Sequence, residues 1–307
     1  MANLIEKAKV FQQELDKQVV AGATSGWMEE NAGLVKYIGG NEIKIPKISM
    51  DGLADYDRDD GYVNGSVSLV YVTKTMTQDR GRTFSLDEMD VDESNFVATA
   101  ANLMGEFQST KVIPEIDAYR YSTIAAAAIA ANKATGGYTA AAATILTKIK
   151  EDIAAITDVA GEIPLIITIS GLVAAILENS TELSKQLNTI EFTKGEIKTT
   201  VKAIDVHPII KAPSARMKTA YIFNDGTTSG QTSGGFTPDT GAKDINWIIT
   251  PRKAPIAVSK TDKIRIFDPQ TNQKASAWKI DYRKYHDLWI PDNKLEAIRI
   301  NVKQALG

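Results

Sequence analysis

Two strand-like runs in residues 41–95 enclose a tip too charged to fold back onto an apolar interior, and no other stretch constrains the chain as much. Glu42-Ile43-Lys44-Ile45-Pro46-Lys47-Ile48 alternates apolar and polar residues, and Val67-Ser68-Leu69-Val70-Tyr71-Val72-Thr73 is β-branched and aromatic. Both patterns fit half-buried strands. Between them, Asp51 to Gly65 has the Gly, Asn and Asp content of solvent-facing turns. A two-stranded ribbon alone is at best marginally stable in water. This one therefore packs on its own domain or lies against another copy of the chain, and in the second case the protein works by assembly.

At 307 residues the chain can bury a substantial core in one large or two medium domains. Its 43% hydrophobic and 24% charged residues argue against wholesale disorder and against a fibrous protein. The absence of cysteine excludes disulfides, thiolate metal sites and cysteine nucleophiles, and fits folding in a reducing compartment. Met1-Ala2-Asn3-Leu4-Ile5-Glu6-Lys7 lacks the charged-then-apolar order of a secretory signal. The longest uncharged apolar run, Ile163 to Leu177, has 15 residues interrupted by Pro164 and Gly171. That is short of the ~20 a membrane-spanning helix needs, so it reads as a buried strand followed by a helix.

The formal net charge of −3 hides a segregation. Residues 51–95 carry 11 Asp and Glu against 4 Lys and Arg, whereas residues 196–307 carry 18 Lys and Arg against 11 Asp and Glu. This asymmetry serves either a solvated face or a contact in which the acidic hairpin lies across a neighbour's basic region, where complementary charge sets orientation and register. No basic motif interleaved with aromatics is present, which argues against sequence-specific nucleic-acid recognition.

Leu4, Ile5, Ala8, Val10, Phe11, Leu15 and Val19 recur at helical spacing over residues 3–20. Glycines at 22, 26, 33, 39 and 40 predict a loose, extended arm after it. Residues 78–84 read as a turn. Asp90 or Asp92 can cap a helix whose apolar face runs through Phe96, Ala100, Leu103, Met104, Phe107 and Val112, with Pro114 expected to kink or restart it. An alanine-rich helix follows over Ile116 to Asn132. Next come a helix striped by Ile145, Ile149, Ile153 and Ile156, a strand over residues 164–170 buried on both faces, and a helix from Gly171 to Leu187. That order implies a compact α/β unit. Short strands follow at 198–204, 218–223, 245–250, 256–258, 263–267, 277–283, 286–290 and 297–302, broken by a loop from Asn224 to Gly241 that reads as flexible and exposed.

Catalytic chemistry has little to stand on. His286 could be oriented as a base by Asp287 or Asp281. Neighbours on a strand point to opposite faces, however, so a structural hydrogen-bonding role is expected for it. The Asp51–Asp60 cluster has carboxylates for a hard cation but not the twelve-residue loop pattern, and a solvated acidic tip is the simpler reading. Gly226, Gly230, Gly234 and Gly235 precede no Gly-Lys-Ser/Thr, so they form no phosphate loop. Trp27, Trp247, Trp278 and Trp289 read as core or interface anchors.

A set of short motifs, in order and spacing, carries a resemblance. These are Ala54-Asp55-Tyr56-Asp57-Arg58 with Gly61-Tyr62, Asp79-Arg80-Gly81-Arg82 with Phe84, and Asp87 with Met89-Asp90-Val91-Asp92-Glu93. Ala212-Pro213-Ser214-Ala215-Arg216-Met217, Tyr282-Arg283-Lys284-Tyr285-His286-Asp287 and Asp292-Asn293-Lys294 complete the set. Together they resemble the tailed-phage major capsid protein family, the Hong Kong 97 fold, and within it the capsid proteins of long-tailed phages and prophages of Gram-positive bacteria.

The resemblance implies an α+β fold with an N-terminal arm (1–40), an E-loop hairpin and its base (41–91) and a spine helix with the first part of a peripheral domain (92–132). An α/β axial domain (133–250) and the second part of the peripheral domain (251–307) complete it. It implies a major capsid protein that self-assembles as hexamers and pentamers into an icosahedral shell enclosing double-stranded DNA. Such a protein has no enzymatic activity and no cofactor or metal. Its implied partners are other copies of itself, a scaffolding protein, a portal, a decoration protein as a further option, and packaged DNA touched non-specifically, with no membrane. Its place is the virion capsid, after assembly in the host cytoplasm. Asp55, Tyr56, Asp57, Arg58, Asp60, Tyr62, Arg80 and Arg82 are the expected assembly contacts. An encapsulin-like nanocompartment shell and, less favoured, an α/β enzyme of unknown substrate are the alternatives.

Overall fold

The computed structural model describes residues 22–39, 42–59, 61–87, 103–180, 187–194, 197–272 and 274–306. The helix expected over residues 3–20, the caps at Asp90 and Asp92, the spine residues before 103, the hairpin contact Asp60 and the end of the helix expected to reach Leu187 lie outside the described residues.

Gly26–Leu34 forms a 3-10 stretch. It leads into strands β1 (Lys36–Gly39), β2 (Glu42–Met50) and β3 (Val67–Thr75), an antiparallel sheet in that order. Strand β4 (Gln78–Asp87) follows, then a helical run over 103–130 whose last part is α1 (Ile113–Ala130). Strand β5 (Ala134–Thr135), helix α2 (Ile145–Ala160), strand β6 (Leu165–Ser170) and helix α3 (Gly171–Glu178) come next. The remainder is strands: β7 (Leu187–Lys194), β8 (Ile197–Ile204), β9 (His207–Ala212), β10 (Tyr221–Phe223), β11 (Phe236–Pro238), β12 (Ile245–Pro251), β13 (Ile256–Phe267), β14 (Ala277–Trp289) and β15 (Arg299–Val302).

A seven-stranded sheet, ordered β5-β15-β12-β6-β9-β8-β7, is the core of the molecule. All six residues of β6 are buried because both faces of the sheet are covered. On one face Ile167, Ile169, Trp247 and Ile249 pack with Ile145, Leu146, Ile149 and Ile156 of α2 and with Val173, Ala174 and Leu177 of α3. On the other, Ile166, Ile248 and Ile300 meet Tyr121, Ile124, Ala125 and Ala128 of α1 together with Trp27 and Met28. The stripe of isoleucines and the unbroken apolar run at 165–170 thus do what their spacing predicts. Alanines on α1 present little side chain, which lets the helix lie close to the sheet.

A second sheet, β13-β14-β4, carries the hairpin. Ile280 and Tyr282 of β14, with Phe84 and Leu86 of β4, receive Leu103, Met104, Phe107 and Val112 of the helical run.

Several expectations need correction. Residues 78–87 are a strand, not a turn: β4 pairs with β14 from Gln78 opposite His286 to Asp87 opposite Ala277. Gly81 makes the close approach possible, since a Cβ there would sit 2.9 Å from the Tyr282 carbonyl oxygen. Pro114, by contrast, does what was expected of it: it stands in the first turn of α1, where the helix restarts. A π-turn at Gln108–Val112 precedes it, with Ile113 N–H donating to the carbonyl of Gln108 five residues back, and the Ser109 and Thr110 hydroxyls both donate to the Glu106 carbonyl. The wider turn absorbs the missing N–H and the crowding that proline brings. Helix α3 ends at Glu178, and Leu187 already belongs to a strand. The strand expected over 218–223 shortens to β10, and the pieces at 256–258 with 263–267 and 277–283 with 286–290 merge into the long strands β13 and β14.

The glycine-punctuated segment after residue 21 is not a loose arm. Ala23, Ser25, Trp27 and Met28 are fully buried, and the reason is electrostatic as well as apolar. Thr24 and Ser25 each donate a backbone N–H and a hydroxyl to the carboxylate of Asp117 on α1, at 2.6–3.1 Å, and Arg216 donates to it at 2.9 Å. Arg120, one turn along α1, reaches the Ser25 carbonyl and Glu29. Five donors thus meet this buried carboxylate, and their hydrogen bonds offset the cost of taking it out of water.

Candidate assembly interface

The hairpin β2–β3 is built in two halves with opposite habits. Directly opposed residues of an antiparallel pair share a face. Near the base, Ile43 and Ile45 are buried against Val35, Met76, Ile256, Val258 and Tyr285. Past Pro46 the apolar residues change face. Ile48 pairs with Leu69 and Met50 with Val67, next to the Pro46–Tyr71 pair, so these six form one contiguous apolar strip on the side opposite to Ile43 and Ile45. Met50 is 71% exposed and Val67 73%, with Ile48 and Leu69 more than half exposed. A contiguous strip of this kind, unlike scattered surface hydrophobics, marks a surface that another molecule covers.

The tip is ordered by its own short-range bonds. Asp51 accepts from the Ser66 N–H and hydroxyl at 2.7 and 2.8 Å, which hold its carboxyl below the usual carboxylate range. Asp57 and Gly61 exchange backbone hydrogen bonds, and Gly61 sits at φ +80°, a left-handed conformation suited to glycine. The rings of Tyr56 and Tyr62 lie 4.9 Å apart, and Tyr62 is 88% exposed.

The base of the hairpin is bolted down. Asp287 accepts from the Thr77 N–H (2.7 Å), the Thr77 hydroxyl (3.0 Å) and the Tyr119 hydroxyl (2.5 Å), while the Tyr285 hydroxyl donates to the Met76 carbonyl. Burial and the adjoining carboxylate push Tyr119 up to about 12, so it remains a donor. Asp287 therefore serves the hairpin and not its neighbour His286, whose ring meets Tyr119 edge-on at 5.5 Å.

Beside this base Arg80 donates to Glu115 (2.7 Å) and to the carbonyls of Asn224 and Gly235, and Arg82 reaches the Thr232 carbonyl. The loop after β10 is largely exposed, as expected, but it is closed by the β10–β11 pairing and its carbonyls are held by these two arginines. Between β4, the helical run and that loop lies a cleft of about 460 Å³, lined by Arg80, Arg82, Lys111 and Lys284, by Phe84, Phe107 and Tyr282, and by His286. The structure thus splits the expected contacts. Asp55, Tyr56, Asp57, Arg58 and Tyr62 sit at the free end, and Arg80 and Arg82 at the base, with a strand of nine residues between them. At ~3.3 Å per residue that strand spans about 27 Å. Lys111, Lys284 and the 224–235 loop were not legible as part of the site, because sequence places them far from Arg80.

No family model matches the chain, and no curated protein matches its sequence. Solved structures do. The mature capsid of bacteriophage PhiM1 aligns with 86% of this chain and 82% of its own at a TM-score of 0.55 and 14% identity. The capsid of cyanophage P-SCSP1u aligns with 87% of this chain and 84% of its own at a TM-score of 0.54 and 11% identity. A virus-like particle from Pyrococcus furiosus aligns with 96% and 99% at a TM-score of 0.53 and 12% identity. The chain has the capsid fold of tailed phages.

Among the described residues no group of three or more His, Asp or Glu is placed to hold a metal ion, and no helix is long and apolar enough to cross a membrane. Burial drives the His286 pKa well below 6.5, helped by the positive charges of Arg120, Lys284 and Arg80. The folded state then refuses a proton that the unfolded state accepts. Stability is full above pH 6.5 and falls below it by up to ~1.4 kcal/mol per pH unit. Thermal melts at pH 7.5 and 5.0 are expected to show a smaller acid loss for His286→Gln than for the unchanged chain; equal losses would remove His286 as the cause.

Proposed function

We propose that this chain is a major capsid protein, whose copies assemble as hexamers and pentamers into an icosahedral shell around double-stranded DNA. The observation that carries this reading is the E-loop: a hairpin fixed at its base to the subunit's own core and apolar, on its far half, toward something the subunit does not supply. Its role is geometric, each copy lapping over the next. Contact with DNA is to phosphates and not to bases, and a scaffolding protein, a portal and a decoration protein are the expected partners. The role is structural, without catalysis, and its setting is the virion capsid, assembled in the host cytoplasm.

A protein compartment that stores cargo is the second reading, since such a shell would use the same capsid-like fold, which a Pyrococcus furiosus virus-like particle also shares. Expression of the chain alone and with a scaffolding protein, followed by light scattering and negative-stain microscopy, tests both. Hollow shells, or rings of five and six, are expected. A stable monomer or dimer in both conditions overturns the shell, and a cargo protein co-purifying in place of DNA selects the compartment.

A further inference from the structure

We propose that the cleft between β4, the helical run and the 224–235 loop is a binding site for a small organic phosphate with an aromatic body, complete within a single chain.

The cleft is assembled from elements that each turn one face inward. Arg80, Arg82 and Phe84 alternate along β4, and their ladder partners Lys284, Tyr282 and Ile280 share that face of the sheet. Phe107, Lys111 and Glu115, four residues apart, project from one side of the helical run. The remaining wall is largely backbone. Gly226 and Gly234 lie at φ +79° and +68°, and a Cβ on them would come within 3.2 and 3.5 Å of the Arg82 guanidinium. Glycine therefore suits both the left-handed turn and the space the arginine head occupies. The space left between these walls, about 460 Å³, falls in the range of pockets for small ligands.

Three observations define the ligand. The first is charge. Glu115 is paired with Arg80 and Asp79 with Arg283, and Asp225 is satisfied by Thr227 and Thr228 of its own turn. Arg82 and Lys111 stand exposed on the lining without an ion pair among the described residues, Arg82 making only 3.4 Å hydrogen bonds to the Thr232 carbonyl. Two unanswered positive charges match a dianion, and a phosphate monoester carries close to two negative charges at neutral pH. The guanidinium fork also fits its oxygens. The second is the apolar surface. Phe84, Phe107 and Tyr282 meet edge-on with centroids 4.9 and 5.7 Å apart, and this surface suits a planar ring. The third is a polar atom still to be satisfied. His286 lines the cleft at 2% exposure, and its Nδ1 has no partner among the described residues. Burial keeps that ring neutral, so it offers a hydrogen bond without adding charge.

Titration of the 307-residue chain with phenyl phosphate at pH 7.5, followed by calorimetry and by the imidazole nitrogen resonances of its two histidines, tests the site. The His286 Nδ1 resonance, assigned with His286→Gln, is expected to move to saturation while those of His207 stay. Inorganic phosphate, which lacks the ring, and phenol, which lacks the charge, are each expected to bind at least tenfold more weakly. The double variant Arg82→Gln with Lys111→Gln, both at exposed positions, is expected to lose tenfold or more in affinity for phenyl phosphate at an unchanged melting temperature. Inorganic phosphate bound as tightly as phenyl phosphate means an adventitious ion only and overturns the site. So does the absence of saturable binding, a His286 resonance that does not respond, or a folded double variant of undiminished affinity. If the double variant fails to fold, the resonances and the three-probe comparison on the unaltered chain decide. None of these readouts needs assembly, so their failure leaves the shell reading standing.

Discussion

A chain in which residues 51–66 are replaced by Asn-Gly is expected to remain a folded, soluble subunit and to build no stable shell. Met50 and Val67 face each other across the ladder, so a two-residue turn closes the shortened hairpin without strain. The subunit loses little of its own, because every described residue from 51 to 66 except Gly61 is exposed, and the anchors at Ile43, Ile45 and Asp287 remain. What it loses is the acidic, aromatic end offered to a neighbour. The apolar strip left behind would release roughly 5 kcal/mol or more if covered, but association and side-chain ordering consume a comparable amount. Without the tip to fix register, assembly falls short. The checks are an unchanged melting temperature together with the absence of particles by light scattering; normal particles from this variant would end the overlap model.

Asp117→Ala is expected to cost about 4 kcal/mol of subunit stability, the typical penalty for removing one partner from a buried charged network. The substitution strips four donors of Thr24 and Ser25 of their acceptor and leaves Arg216 without its carboxylate. For a chain of this size that corresponds to a fall in melting temperature on the order of 10 °C. Because the network ties residues 24–25 to α1, hydrogen exchange should rise first over residues 22–34. A loss below about 1 kcal/mol, or uniform exchange, would show that the apolar contacts of Trp27 and Met28 hold the segment alone.

What could be read in the sequence was what rests on local pattern. The isoleucine stripe of α2 and the unbroken apolar run of β6 each follow from one period and formed as that period dictates, while the alternation of residues 42–48 holds only as far as Ile45, beyond which Lys47 and Ile48 are both exposed. Pairings across two hundred residues left no local trace. Gln78 to Phe84 looks like a turn because it holds Asp, Gly and two arginines, and it becomes a strand only because Tyr282 and its neighbours supply the other half of the ladder. The segment around Ser25 looks loose for the same reason: its glycines are visible, but the carboxylate 92 residues away that gathers its amides is not. In the interface, the tip residues could be named from sequence, whereas Lys111 and the 224–235 loop could not. The change of apolar face at Pro46 was within reach, since Ile43 and Ile45 are odd-numbered and Ile48 and Met50 even.

The hairpin and the cleft beside its base mature at different times. The hairpin is local: β2 and β3 are joined by a short stretch of chain and can pair early. The cleft draws on residues 79–84, 107–116, 224–235 and 282–286, so it exists only once the distant strand β14 has found β4. Long-range pairing of this sort is slow. A half-folded copy can thus carry a paired hairpin before β14 has brought Asp287 and Tyr285 to hold its base, so the hairpin swings freely until the last long-range pairing is made.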